Sequence, residues 1–349
     1  MEISLRFIYE DGCSIFDPED LDDFYLCYLS ENLPKSLTNF NQSSIRDDQN
    51  FCDTWDPLLG WIPKKNCDTG RYSTNSAGFR GKEEFTIEKN KTRILILGDS
   101  FTWGEDVFDY ETYPYYLDQS LKGDYDIINM GVHGYGPDQM YLRFLREGRL
   151  YNPDIVILAL YTPDIFRTTV RIRDFFKPRF KIVDNDLVLD ENSKIPTIQE
   201  AIEITNKERT KTKIYSYLFL RKKLRTIISN LGFKRDIYSE DAYQLSFRII
   251  EKFKEISEED GFELIVLLIP QKKAVETNKS PELHYQLIRG LSQRNVTYVS
   301  ILQELKFAYA KSKTSFYPEH LTAEGNLLIA QSLKNYLSKE KYLNEYFKK

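Results

Sequence analysis

Five short apolar stretches punctuate the chain: Arg93–Leu97, Asp126–Ile128, Ile155–Leu160, Leu264–Ile269 and the weaker Val296–Val299. They are continuous rather than alternating runs of Ile, Leu and Val, the pattern of strands buried on both faces of a parallel sheet. Between them the apolar positions take helical spacing, over Thr112–Leu121, Gln139–Arg149, Ala242–Ile256 and Ala323–Leu337. Strand alternating with helix at this rhythm predicts a doubly wound α/β sheet, in which ligands bind at the carboxyl ends of the strands. The loops that follow the apolar runs are therefore where chemistry is expected.

Two regions break the rhythm. Residues 1–85 are of mixed character and read as an N-terminal extension packing on a core made of 86–165 and 241–349. Residues 166–240 read as an insertion. Within it Arg179–Val183 and Leu187–Leu189 flank Asp184-Asn185-Asp186, which predicts a hairpin. A basic stretch follows, with ten Lys/Arg against the single acid Glu208 between Lys207 and Arg235. Ile214, Leu218, Leu224, Ile227 and Ile228 make 207–235 a candidate amphipathic helix, hence a lid or a surface for anionic membrane or polysaccharide. An insertion helix with a solvated basic face is the alternative.

Composition narrows the class. The chain has 349 residues and a formal net charge of −5, so bulk charge does not point to nucleic acid. Its longest strictly apolar run, Leu264–Ile269, is far shorter than the roughly 18 residues that span a bilayer. The first twenty residues are acid-rich and show no secretory leader, which predicts a soluble, cytoplasmic protein, or an extracytoplasmic one if the natural N-terminus is longer. Cys13, Cys27, Cys52 and Cys67 form no close C-x-x-C pair, and only His133, His284 and His320 could join them, so no metal site is expected. Without an export signal the cysteines are expected as reduced thiols, with two disulfides as the alternative for a longer N-terminus.

Three loops carry candidate chemistry. Ile94-Leu-Ile-Leu-Gly98-Asp99-Ser100 runs a buried strand into a tight turn before a helix, where a serine hydroxyl and nearby backbone N–H groups can meet a reacting carbonyl. The same residues would also suit a simple turn and helix cap. Ile128-Asn129-Met-Gly131-Val-His133-Gly134-Tyr-Gly136 is a second strand end opening into a Gly-rich loop, without the lysine or the spacing of a nucleotide loop. Phe316-Tyr317-Pro318-Glu319-His320 places a histidine just before the last helix.

In this order the three stretches resemble the GDSL/SGNH hydrolase superfamily. Asp56-Pro-Leu-Leu-Gly-Trp61 and Asn75-Ser-Ala-Gly-Phe-Arg80 look like the leader of a bacterial subgroup of it. The resemblance implies a flavodoxin-like α/β/α sandwich and acyl chemistry on oxygen, with no metal or organic cofactor. It implies that Ser100 is the nucleophile, that the Ser100 and Gly134 N–H groups form the oxyanion hole, and that His320 is the general base. Two positions depart from the family pattern. Pro163 stands where the family has an asparagine oxyanion donor, leaving the Thr162 hydroxyl as the candidate substitute. Tyr317 and Pro318 stand where an aspartate would orient the histidine, leaving Glu319 as the nearby acid, or a Ser–His dyad. The expected function is a serine-dependent esterase or O-acyltransferase acting on an acylated carbohydrate or lipid. The alternatives are a catalytically silent glycan-binding or scaffold module, and an unrelated α/β binding protein in which Ser100 is a helix cap.

Overall fold

The computed structural model describes residues 22, 25–30, 52–121, 123–210, 240–277 and 280–339. Strands β1 (Asp53–Asp56) and β2 (Gly60–Pro63) pair with each other, and five later strands form one parallel sheet: β3 (Thr92–Gly98), β4 (Tyr125–Gly131), β5 (Ile155–Tyr161), β8 (Glu263–Ile269) and β9 (Tyr298–Ser300). Their order is β4-β3-β5-β8-β9, so the chain winds outward to one side from β3 and then to the other. Helices Tyr113–Ser120, Pro137–Arg146, Glu240–Asp260, Glu282–Gln293 and Ala323–Lys339 accompany them. This is the doubly wound α/β/α arrangement that the alternation of patterns predicts.

The register explains the continuous apolar runs. Ile157 pairs with both Ile96 and Ile265 across the sheet centre. With Ile94, Ile155 and Leu267 these side chains fill one face, against Leu117, Ile329 and Leu333 of two flanking helices. The intervening residues are buried as well: Leu95, Leu97, Val156, Leu158, Val266 and Leu268 have essentially no exposed surface. Phe144 carries that second layer, its ring 5.3 Å from Phe253 and 5.4 Å from Phe262. Burying each of these aliphatic side chains contributes about 2 kcal/mol relative to leaving it exposed, so an alternating pattern would forfeit half of the core.

The described residues fall into two compact units, one drawn from 1–49, 53–62 and 169–245, the other from 50–52, 63–168 and 246–349. The second holds the parallel sheet. In the first, β6 (Phe180–Val183) and β7 (Asp186–Leu189) form an antiparallel hairpin. Asp184 and Asn185 adopt φ of 50° and 63° in its turn, the left-handed pair that a two-residue hairpin turn requires. Also in this unit, Trp55 Nε1 donates to the Pro196 carbonyl at 2.9 Å. Of the basic stretch 207–235, the helix Ile198–Thr210 includes the first residues, and 211–239 lie outside the described residues. No helix among the described residues is long and apolar enough to cross a membrane.

The reduced thiols expected for Cys52 and Cys67 are a correction: the two are joined in a disulfide, with Cα atoms 5.8 Å apart. Cys27 is disulfide-bonded too. Backbone bonds from Thr74 N to the Cys67 carbonyl and from Asn66 N to the Asn75 carbonyl fold the 64–75 segment back on itself. Sequence spacing does not reveal that fold-back, which decides whether two cysteines meet.

Candidate active site

β3 ends at Gly98, where an added Cβ would lie 1.9 Å from Thr102 Oγ1, so only glycine lets the chain turn this tightly into the Ser100–Trp103 helix. Asp99 caps that helix, its Oδ1 accepting from Phe101 N at 3.0 Å. The helix is one turn long and stops at Gly104, which takes a left-handed conformation and donates to the Ser100 carbonyl. Ser100 is thereby fixed at the carboxyl edge of the sheet, with its side chain turned to His320.

Ser100 Oγ lies 3.0 Å from His320 Nε2, and on the far side of the ring Nδ1 lies 3.1 Å from Asp106 Oδ2. Serine, imidazole and carboxylate thus form one continuous hydrogen-bonded row, with serine and histidine 220 positions apart in sequence. Glu105 Oε2 is 3.6 Å from Nε2. The ring packs on Phe101, centroids 5.3 Å apart, and Phe101 in turn stacks on Tyr161 at 4.2 Å. The histidine loop is anchored on both sides. Tyr317 Oη donates to the Pro270 carbonyl, while the Asn326 amide donates to the Leu321 and Thr322 carbonyls and its Oδ1 accepts from Tyr113 N.

The second loop leaves β4 beside this row. Asn129 Nδ2 donates to the Thr102 carbonyl and its Oδ1 accepts from Gly131 N, while Val132 N donates to the Gly98 carbonyl. These bonds hold the glycine loop against the Gly98–Ser100 turn. Gly134 has φ of +75°, and its N–H finds no acceptor among the described residues. The segment after β5 contributes Arg167, which donates to the Tyr135 carbonyl at 2.9 Å, pairs with Asp164 at 2.5 Å and reaches within 3.6 Å of Asp99 Oδ2. One buried guanidinium therefore joins the loops that follow β3, β4 and β5.

No family model matches the chain. A curated "Uncharacterized protein" of Mycoplasma pneumoniae is 30% identical over 114 residues, which cover 31% of this chain and 12% of that protein. The chain thus spans about an eighth of the length of the curated relative it matches. Among solved structures, a lipolytic G-D-S-L family protein of Veillonella parvula aligns with 71% of this chain and 98% of its own, at 15% identity and TM-score 0.42. An acetyl xylan esterase aligns with 70% and 99%, at 12% identity and TM-score 0.42. An acetylxylan esterase of Geobacillus stearothermophilus aligns with 73% and 96%, at 11% identity and TM-score 0.41. The chain is similar to GDSL/SGNH hydrolases.

The residues that the GDSL/SGNH resemblance implied are distributed as follows. Ser100 and His320 are brought together, and Gly134 lies in the loop that Asn129 and Arg167 hold beside them. Thr162 sits at the end of β5 with Oγ1 buried and unpaired among the described residues. Glu319 is exposed, and the imidazole's recorded partners among the described residues are Ser100, Glu105 and Asp106. The acid on Nδ1 is Asp106, which sequence reasoning missed. Its signal is an acidic pair, Glu105-Asp106, directly after the glycine that ends the Ser100–Trp103 helix.

Proposed function

We propose that the protein is a serine hydrolase of carboxylic esters of the GDSL/SGNH kind, acting through an acyl-enzyme on Ser100. The observation that carries this reading is the Ser100–His320–Asp106 row, with contacts of 3.0 and 3.1 Å. His320 Nε2 removes the Ser100 Oγ proton as the oxygen attacks the ester carbonyl. Asp106 accepts from Nδ1–H, which fixes the tautomer whose Nε2 is basic and stabilises the imidazolium that forms. The oxyanion is received by the N–H groups of Ser100 and Gly134, with the buried Thr162 hydroxyl as third donor in place of the asparagine absent at Pro163. His320 then returns its proton to the departing alkoxide. Water releases the acid by the same base catalysis, and a sugar hydroxyl in its place would complete an O-acyl transfer.

The resemblance to acetyl xylan esterases makes acylated carbohydrate the substrate class to try first. The disulfide supports an oxidising, extracytoplasmic compartment. Hydrolysis of a short-chain aryl ester is expected to fall at least about 10³-fold in Ser100→Ala and in His320→Ala. Undiminished turnover in either variant would remove the assignment. Pro163 favours a second reading, a silent glycan-binding module. Wild-type protein that turns over no ester yet binds an acylated glycan, with binding lost on blocking this cleft, would establish that reading instead.

A further inference from the structure

The Ser100–His320–Asp106 row accounts for every group around the imidazole except one. Glu105 is held beside Asp106 by its own N–H, which donates to the Ser100 carbonyl at 3.0 Å. Its side chain is 20% exposed and accepts no hydrogen bond from any described residue, and its Oε2 lies 3.6 Å from His320 Nε2. That nitrogen is the atom that hands a proton to the leaving alcohol, so the Glu105 carboxylate borders the space where the leaving group must lie.

A carboxylate in that place is a cost with a neutral substrate. In the tetrahedral state Asp106 balances the imidazolium, and the oxyanion is the one excess charge of an ordinary triad. Glu105 adds a second negative charge 3.6 Å from Nε2, and like charges at such separations repel. The only cationic group recorded beside Glu105 among the described residues is His320 itself. A cation on the leaving alcohol cancels the excess charge as the oxyanion forms.

We infer that Glu105 is a specificity-determining residue that selects esters whose leaving alcohol carries an ammonium group close to the ester oxygen, the chemistry of a vicinal amino alcohol such as an unacetylated amino sugar. This rests on the ester-hydrolase reading above and narrows its substrate class. An ammonium on the carbon next to the one bearing the ester oxygen would meet Glu105 while His320 Nε2 protonates that oxygen.

The test compares acetylcholine with its uncharged carbon isostere, 3,3-dimethylbutyl acetate, in the full chain. The wild-type protein is expected to favour the cationic ester about tenfold in kcat/KM, and Glu105→Gln to bring that ratio close to one. Because a ratio is read, loss of folded protein in the variant cancels. Choline and 3,3-dimethylbutanol are measured in parallel as competitive inhibitors of aryl acetate hydrolysis, which reads the same preference if either ester turns over slowly. Equal constants for the charged and uncharged members in wild-type protein, or a preference that survives Glu105→Gln, would overturn the inference. Retention of aryl acetate hydrolysis in Ser100→Ala would instead strike the hydrolase reading itself, so the two failures are distinguishable.

Discussion

Asp106 adopts φ of +74°, a left-handed conformation that an L-residue enters at a cost of roughly 1 kcal/mol or more. Here that backbone turns the carboxylate toward His320 Nδ1. Asp106→Asn keeps the shape but lets the ring settle in the wrong tautomer, so kcat for aryl ester hydrolysis is expected to fall about 10²–10⁴-fold with KM little changed. A loss below about threefold would reduce the row to a Ser–His dyad. At this scale the sequence was legible where a motif spells out the residue. Ser100 follows a buried strand and a glycine, and His320 precedes the last helix. The orienting acid was not legible, because Asp106 lies 214 positions from the histidine it serves and only the folded loop brings them together.

The loops at the carboxyl ends of β3, β4 and β5 are separate segments fastened by Arg167. Its guanidinium compensates Asp164 and stands near Asp99, both fully buried. Arg167→Met should leave two buried carboxylates without their cation and cost about 3–5 kcal/mol, measured by chemical denaturation. The same variant frees the Tyr135 carbonyl and so should depress kcat even where the protein stays folded.

A second element gives a pH signature. His284, buried in the Glu282–Gln293 helix, shares a 2.8 Å hydrogen bond between Nε2 and Ser300 Oγ. Burial, with help from the charge of Lys306, pushes its imidazole down to about 4 from an ordinary value of 6.5. Above pH 6.5 both folded and unfolded chains hold it neutral. As pH falls from 6.5 to about 4 only the unfolded chain gains the proton, so stability should drop by up to roughly 3 kcal/mol across that window. His284→Gln should flatten the acid limb of a stability–pH curve, and an unchanged limb would assign it to other groups. The strand of Ser300 was legible as the weak run Val296–Val299, whereas the Glu282–Gln293 helix has no counterpart among the helices that the periodicity predicts. The pairing of a helix histidine with a strand serine was not legible either, since it depends on how two layers dock.

At the scale of the molecule, the parallel sheet followed from the apolar runs, because a strand covered on both faces leaves no polar position in its pattern, whereas the strand order β4-β3-β5-β8-β9 did not. The covalent framework did not follow. Cys52–Cys67 closes a loop with a sequence separation of 15, which contributes about 3 kcal/mol in the chain-entropy account. Reduction, or replacing both cysteines by alanine, should lower the denaturation midpoint accordingly. An unchanged midpoint would mean that the segment is held by its hydrogen bonds.

The sulfur pair also touches the reacting end of the molecule. Cys52 packs with Tyr72 and Trp103, Cys67 lies against the same cluster, and Trp103 closes the helix that begins with Ser100. Disulfides quench nearby indole emission, and the sequence has only three tryptophans. The protein therefore carries a built-in optical gauge: brightening of Trp103 would report the moment at which the bond opens, read from within one helical turn of Ser100.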